Sequence, residues 1–372
     1  MKIKYSTLVQ ELNTIQGVFT KSTSATSKVV YFYDGQVIGF SPLMMCKSKI
    51  DVEGDFLNCS VLFDTLYKVL TGYSNLYFTK VNEVDIEEVG KAIKITIKEE
   101  PKEDFPDASS YAKTSVFILD NVPVAQSLID NFNRSIPEES VSVSEDEINK
   151  YMRTLYPLLS NDESGSGVGK LNFAKDYVFF LSNTFSSFVK NDLPESLRDV
   201  EISQSGLSLI KKLYERSEVQ NIGKSDGYLV VSSLDETLCC FIRVNKVTFR
   251  YNKLVEGMSK DKGIVLNRKY FREVLSRLGN FSEQVVMKYD KGEVYVDAKT
   301  FNQDIPMVNS KGDLENLGFI ANTNIFNKII IGSDDIMPAE VFLYFIDKGR
   351  NISLYISDST GEWFSVTTVM SA

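Results

Sequence analysis

One order of segments constrains this chain more than any other feature: a strand, an amphipathic helix and a strand hairpin, read six times along 372 residues. The first helix is expected from Ser6 to Phe19, with Leu8, Leu12, Ile15 and Phe19 on one face. Strands follow at Val29 to Tyr33 and Val37 to Phe40, joined by Asp34-Gly35, which supplies the positive φ of a tight hairpin turn. The second helix, Ser60 to Thr71, presents Leu62, Leu66, Val69 and Leu70, ahead of strands at Leu76 to Lys80 and Ala92 to Lys98. The third opens on Ser144-x-x-Glu147, a capping box, and carries Ile148, Met152 and Leu155. The fourth, Ser203 to Ser217, carries Leu207, Ile210, Leu213 and Tyr214. The fifth, Asn267 to Leu278, precedes strands around Asp290-Lys291-Gly292, and the sixth, Thr323 to Ile331, precedes strands at Glu340 to Asp347, Ile352 to Ser357 and Trp363 to Val369. Apolar spacings of three and four, then alternation, place helices on antiparallel sheets in an α+β chain of repeated units.

A chain of this length, 43% hydrophobic, is expected to form two or three cored domains. No apolar run approaches the ~20 residues of a membrane span. Met1 to Tyr5 runs straight into a strand, so a cytoplasmic location is expected. Cys46, Cys59, Cys239 and Cys240 lack metal-ligand spacing and read as reduced core thiols. There is no histidine, which removes triads, zinc-histidine sites and imidazole acid-base chemistry. The segment Gly165 to Lys170 fails the phosphate-loop pattern, because Ser164 stands where the first Gly belongs and Leu171 replaces the magnesium-binding Ser or Thr. The paired acids Glu99-Glu100 and Asp334-Asp335 read as solvated surface. No catalytic residue, metal site or cofactor is expected.

Positive charge gathers on the helices of a chain whose net charge is −9. The fourth carries Lys211, Lys212 and Arg216; the fifth carries Arg268, Lys269 and Arg272; Lys150 and Arg153 lie on the third and Lys68 on the second. At 100° per residue these positions fall away from the apolar stripes. If the helices share one face, the molecule is polarised, and such a face suits a polyanion met through its phosphates. No helix-turn-helix, zinc finger or aromatic RNA-binding strand accompanies them, so recognition of sequence is not expected.

Two short runs carry a family likeness. Phe249-Arg250-Tyr251-Asn252-Lys253-Leu254-Val255-Glu256-Gly257 is similar to the Phe-x-Ser-Lys-Leu-Val-Asp-Gly run, and Asp104-Phe105-Pro106 to the Asp-Phe-Pro, of the bacterial and phage-type DNA polymerase sliding clamps, the β processivity factors. With length and repeat number, the chain resembles that family over essentially its whole extent. The resemblance implies three clamp domains of two repeats each, at 1–113, 114–254 and 255–372, helices inside and antiparallel sheets outside. It implies a homodimeric ring around double-stranded DNA, with the nine basic residues named above facing the DNA without sequence preference. It further implies that the ring tethers DNA polymerase and other replication proteins, and that a separate ATP-dependent clamp loader opens it.

The resemblance also implies an apolar pocket for partner peptides, for which Val168, Thr184, Phe188, Val366 and Val369 are the positional candidates, with core packing the alternative for each. The family's Thr-Asp-Gly-x-Arg-Leu strand is replaced by Asn183-Thr184-Phe185-Ser186-Ser187-Phe188, its Met-Pro by Thr367-Thr368, and its Phe-Pro-x-Tyr is missing. Subunit contact, joining the first domain of one copy to the third of another, is placed at Ile95, Ile97, Leu278 and Phe281, with ordinary core packing the alternative. Residues 111–143 are longer than a domain linker and read as an outer insertion with a strand at Ser115 to Leu119 and a helix at Val122 to Asn133. Two other readings stay open: a structural or virion protein of repeated αβ units without a DNA-encircling role, and a histidine-free enzyme using carboxylates or lysine.

Overall fold

A computed structural model describes every residue except 20–26, 160–168, 259, 291–292, 299–301, 313, 315–316, 331–338, 349–350 and 372, with backbone alone at 106–108, 302, 306 and 347–348. Each repeat is a strand, a helix and three further strands. The first comprises Lys2–Lys4, α1 (Tyr5–Ile15), Val29–Tyr33, Gln36–Phe40 and Met44–Lys49; the second comprises Cys59–Leu62, α2 (Phe63–Thr71), Thr79–Val89, Ala92–Pro101 and Thr114–Asp120. A helix α3 (Gln126–Phe132) precedes the third repeat: Ser140–Ser144, α4 (Glu145–Thr154) with the short α5 (Tyr156–Leu159), Lys170–Phe173, Tyr177–Leu181 and Phe185–Lys190. The fourth comprises Val200–Ser203, α6 (Gln204–Tyr214), Val219–Ser225, Tyr228–Ser232 and Leu238–Arg243, followed by α7 (Asn252–Glu256). The fifth comprises Gly263–Asn267, α8 (Arg268–Gly279), Gln284–Asp290, Glu293–Asp297 and Asn302–Lys311; the sixth comprises Gly318–Asn322, α9 (Thr323–Ile330), Glu340–Lys348, Asn351–Ser357 and Trp363–Ser371.

The opening strand of each repeat joins the hairpin of its sister. Lys2–Lys4 pairs with Thr79–Val89 and Cys59–Leu62 with Val29–Tyr33, so the first two repeats exchange strands. The third and fourth exchange in the same way, as do the fifth and sixth. The exchange groups the repeats into three pairs. Thr114–Asp120 pairs with Ala92–Pro101, so the strand beyond residue 113 completes the first pair instead of opening the second. The stretch 111–143 is therefore not one insertion, because Ser140–Ser144 likewise belongs to a sheet, against Val219–Ser225.

Two compact units result, Met1–Glu145 with Ser205–Val244 and Asp146–Gln204 with Asn245–Ala372. In the first, an antiparallel sheet runs Cys59–Leu62, Val29–Tyr33, Gln36–Phe40, Met44–Lys49, Leu238–Arg243, Tyr228–Ser232, Val219–Ser225, Ser140–Ser144, beside a four-stranded sheet of Lys2–Lys4, Thr79–Val89, Ala92–Pro101 and Thr114–Asp120. In the second, Phe185–Lys190 pairs with Trp363–Ser371 and thereby joins the third repeat to the sixth within a twelve-stranded sheet. Asp-Gly turns close two of the hairpins, Asp34 and Gly35 at φ 47° and 76° and Asp226 and Gly227 at 47° and 79°. Both central residues lie in the left-handed region, as a turn matched to strand twist demands.

The eight-stranded sheet is covered on both faces. On one lies α1, packed so closely that a Cβ on Gly39 would meet Ile15 Cγ2 at 2.3 Å. On the other lies the α3 segment, whose Phe132 ring sits 5.0 Å from Tyr31 and 5.8 Å from Tyr33. Lys47 Nζ reaches up from the sheet to donate to the carbonyls of Phe132 and Arg134 at 3.3 and 2.6 Å, satisfying acceptors at the end of that helix. Burial, which disfavours the charged form, lowers the pKa of this lysine.

All four thiols are buried and unbridged. Burial pushes Cys59 and Cys239 up to about 12. An aromatic disulfide reagent should therefore titrate no thiol of the folded protein and four after unfolding, checked by its absorbance. Rapid reaction of any thiol under native conditions would contradict this packing.

Candidate functional site

The six repeat helices divide sharply once their surroundings are known. α1 carries no Lys or Arg at all, so the basic character expected of the helices does not extend to the first. In the first unit, α2, α1 and α6 are linked side by side. Tyr67 donates to Asn13 Oδ1 at 2.7 Å, and Lys212 Nζ donates to the Asn13 carbonyl at 3.0 Å. Lys68 and Lys211 are exposed on this layer, whereas Lys212 is half-buried and its pKa is lowered by that burial.

Arg216 is a structural residue. Its two terminal nitrogens hold Glu11 in a bidentate pair at 2.7 and 2.8 Å, and Nη1 also donates to Thr14 Oγ1 at 3.2 Å. Glu11 is only 3% exposed, so the guanidinium supplies the charge and hydrogen-bond partner that a buried carboxylate needs. Its guanidinium is thus committed within its own unit, which weighs against the expected DNA-facing role.

The second unit repeats the division. Arg153 on α4 and Lys269 on α8 are exposed. Lys150, one turn before Arg153, is held by Asp192 at 2.5 Å and Glu362 at 3.5 Å, and Lys190 holds the other oxygen of Glu362 at 2.9 Å. Burial opposes the charge of Lys150, but the Asp192 hydrogen bond and nearby carboxylates raise its pKa, so it serves an ion-pair network. Arg268 is 7% exposed at the start of α8, where Asn267 Oδ1 caps the helix by accepting from the Tyr270 amide at 3.0 Å. Arg272 is half-buried, and with Lys269 and Arg277 it lines a groove of about 580 Å³ along α8.

The residues assigned to subunit contact need the same correction. Ile95, Ile97 and Leu278 are at most 1% exposed within their own units, so their side chains have no surface to offer, while Phe281 is 62% exposed. The surfaces missed by sequence reasoning lie nearby. Tyr77, Phe78 and Tyr111, exposed by 71%, 38% and 56%, form with Phe105 a chain of rings whose centroids lie 4.7 to 5.6 Å apart. Thr114–Asp120 turns Val116 and Ile118 outward at 53% and 61% and has no second strand partner among the described residues. A signal was legible here: Thr-Ser-Val-Phe-Ile-Leu-Asp is apolar on both faces, which a sheet-edge strand covered by its own unit does not require.

Of the peptide-pocket candidates, Val168 lies outside the described residues. Phe188 is fully buried and stacked on Phe364 at 4.6 Å, and Val369 is 6% exposed; both are core. Thr184 is exposed, and its carbonyl accepts from Thr367 Oγ1 at 2.9 Å; Val366 is half-buried against the same aromatic cluster. That cluster is covered by residues 247–258, including Tyr251, Leu254 and Val255. Tyr251 donates to Asp176 Oδ2 at 3.0 Å and Tyr355 to the Leu254 carbonyl at 3.2 Å, which fastens the covering segment.

Nothing described resembles a nucleotide or metal site. Lys170 begins a strand and pairs with Glu201 at 2.7 Å, so no helix follows the glycine-rich segment, most of which lies outside the described residues. Glu99 and Glu100 accept from Thr79 and Asn82 side chains at 2.8 and 2.6 Å; Asp334-Asp335 lies outside the described residues. Among the described residues no cluster of three metal-ligating side chains occurs, and no helix is long and apolar enough to cross a membrane.

No protein-family model and no curated protein matches the sequence. Solved structures do match along the whole chain. The DNA polymerase III beta chain of Streptococcus pneumoniae is 14% identical, covers 100% of this chain and 99% of its own, and superposes with a TM-score of 0.74. The DNA polymerase sliding clamps of Bacillus subtilis and Pseudomonas aeruginosa are each 13% identical, cover 100% of this chain and 98% and 99% of their own, and each gives 0.74. The chain has the sliding-clamp fold.

Proposed function

We propose that this protein is a DNA polymerase processivity factor, a ring-forming sliding clamp that holds duplex DNA without sequence preference and tethers polymerase to it. The observation that carries the reading is the end-to-end match to clamp structures in a chain whose three repeat pairs exchange strands. Topological retention needs only loose contacts, and Lys68, Arg153, Lys211 and Lys269, the members of the expected DNA-facing set that are exposed, supply them as long flexible cations. The reading as a structural protein of repeated units predicts no such contacts.

The test is DNA affinity against salt for the protein and for its Lys68→Glu, Arg153→Glu, Lys211→Glu, Lys269→Glu variant. Each lost phosphate contact should reduce the slope of log K on log salt by about one. The variant should unfold at the same temperature, bind markedly less DNA and fail to stimulate polymerase. Unchanged binding and stimulation would remove these four residues from the interface.

The ring is proposed to be a homodimer, the first repeat pair of one copy meeting the third pair of another. Val116, Ile118 and the Tyr77, Phe78, Tyr111 rings supply one apolar surface, and Phe281 and Val308, 62% and 54% exposed, supply the other. Charged side chains, lysine especially, on an open edge strand oppose strand addition. Val116→Lys with Ile118→Lys should therefore give monomers by light scattering without loss of thermal stability, and a dimer of unchanged strength would sink this assignment. An ATP-dependent loader and partner peptides docking near Thr184 and Val366 complete the proposal, with action in the cytoplasm.

A further inference from the structure

Cys46 and Cys240 face each other across the junction between the first and second repeat pairs. The strands Met44–Lys49 and Leu238–Arg243 are antiparallel with Cys240 directly opposite Cys46. Lys49 donates its amide to Thr237 at 2.7 Å and Arg243 to Leu43 at 2.8 Å, which fixes the hydrogen-bonded positions at odd-numbered residues of the first strand. Cys46 therefore falls in a non-hydrogen-bonded pair, where opposed Cα atoms are about 4.5 Å apart and side chains are closest. That spacing lies within the roughly 4.4–6.8 Å that a disulfide spans. The two thiols lie within hydrogen-bonding reach of each other, and the Arg216 guanidinium acts on both.

Neither remaining cysteine competes. Cys239 points to the opposite face, opposite Lys47. Cys59 sits three strands away in the sheet order, a lateral separation of about 14 Å.

We propose that Cys46 and Cys240 are a reversible cross-strand disulfide site, closed by peroxide, that staples the first repeat pair to the second. One thiol attacks a peroxide oxygen, giving a sulfenic acid and one water. The opposed thiol displaces the sulfenic hydroxyl as a second water, so two thiols lose two hydrogens and one peroxide becomes two waters. Both sulfurs are buried, which slows closure and excludes bulky reagents; peroxide is small and neutral enough to reach them. Burial, with Cys46 and Cys239 beside it, holds the Cys240 thiol well above its usual pKa, and the Arg216 charge offsets this only in part, so closure is slow. The closed bond ties together strands distant in sequence and removes freedom from the unfolded chain.

The test uses the full-length reduced protein exposed to hydrogen peroxide under native conditions, then denatured, alkylated, digested and analysed by mass spectrometry. A linked peptide containing Cys46 and Cys240 is expected, with two thiols lost to alkylation, an upward shift in thermal midpoint and reversal of both by dithiothreitol. Cys240→Ala should abolish the link and Cys59→Ala should keep it. Recovery of all four thiols after exposure, or Cys46 and Cys240 recovered as sulfinic acids without a linked peptide, would overturn the proposal.

Discussion

Arg216→Ala is expected to destabilise the first unit by about 3–5 kcal/mol, the cost of leaving a buried carboxylate unpaired. Glu11 is 3% exposed and takes both of its short hydrogen bonds from this one side chain. The pair joins α1 of the first repeat to the turn that follows α6 of the fourth, so its loss loosens helices from two different repeat pairs at once. Denaturant melts followed by circular dichroism measure the loss. Replacing both partners, Glu11→Leu with Arg216→Met, should restore most of it, because the apolar pair leaves no charge stranded. A role in DNA contact predicts the reverse pattern: unchanged melting for Arg216→Ala and weaker DNA binding.

Phe188→Ala should cost about 3–5 kcal/mol in the second unit, the usual range for emptying a buried aromatic site. The ring is fully buried, stacked parallel on Phe364 at 4.6 Å and tilted against Phe179 at 5.3 Å. It also sits on the strand that joins the third repeat to the sixth, where Phe188 lies opposite Phe364 in register. The covering segment around Tyr251 packs on Phe179, which Phe188 supports from the same cluster. Thermal melts monitor the effect, and a variant that melts normally but fails to bind partner peptides would return Phe188 to the pocket.

These two residues show how far the sequence could be read. Helix faces and hairpins follow from local rules, so α1, α6, α8 and the Asp34-Gly35 turn lie close to where periodicity put them. Strand exchange is non-local: nothing in Cys59–Leu62 itself says that it pairs with Val29–Tyr33, and nothing in Thr114–Asp120 says that it continues the sheet of Ala92–Pro101 across residues 102–113. Charge position was legible, but charge availability was not. Lys211 and Arg216 both lie off the apolar stripe of the helix expected over 203–217, yet one is exposed and the other, in the turn after α6, is consumed by a carboxylate 205 residues away in sequence. The same ambiguity affected Ile95 and Ile97, since alternation reports burial but not whether a neighbour in the same unit or a second subunit provides it.

Single-particle imaging of the purified protein tests the central claim most directly. Closed rings of two copies, with the helices bearing Lys68, Arg153, Lys211 and Lys269 turned toward one central hole wide enough for duplex DNA, are the predicted result. Isolated monomers at micromolar concentration, or assemblies whose helices face no shared hole, would contradict it.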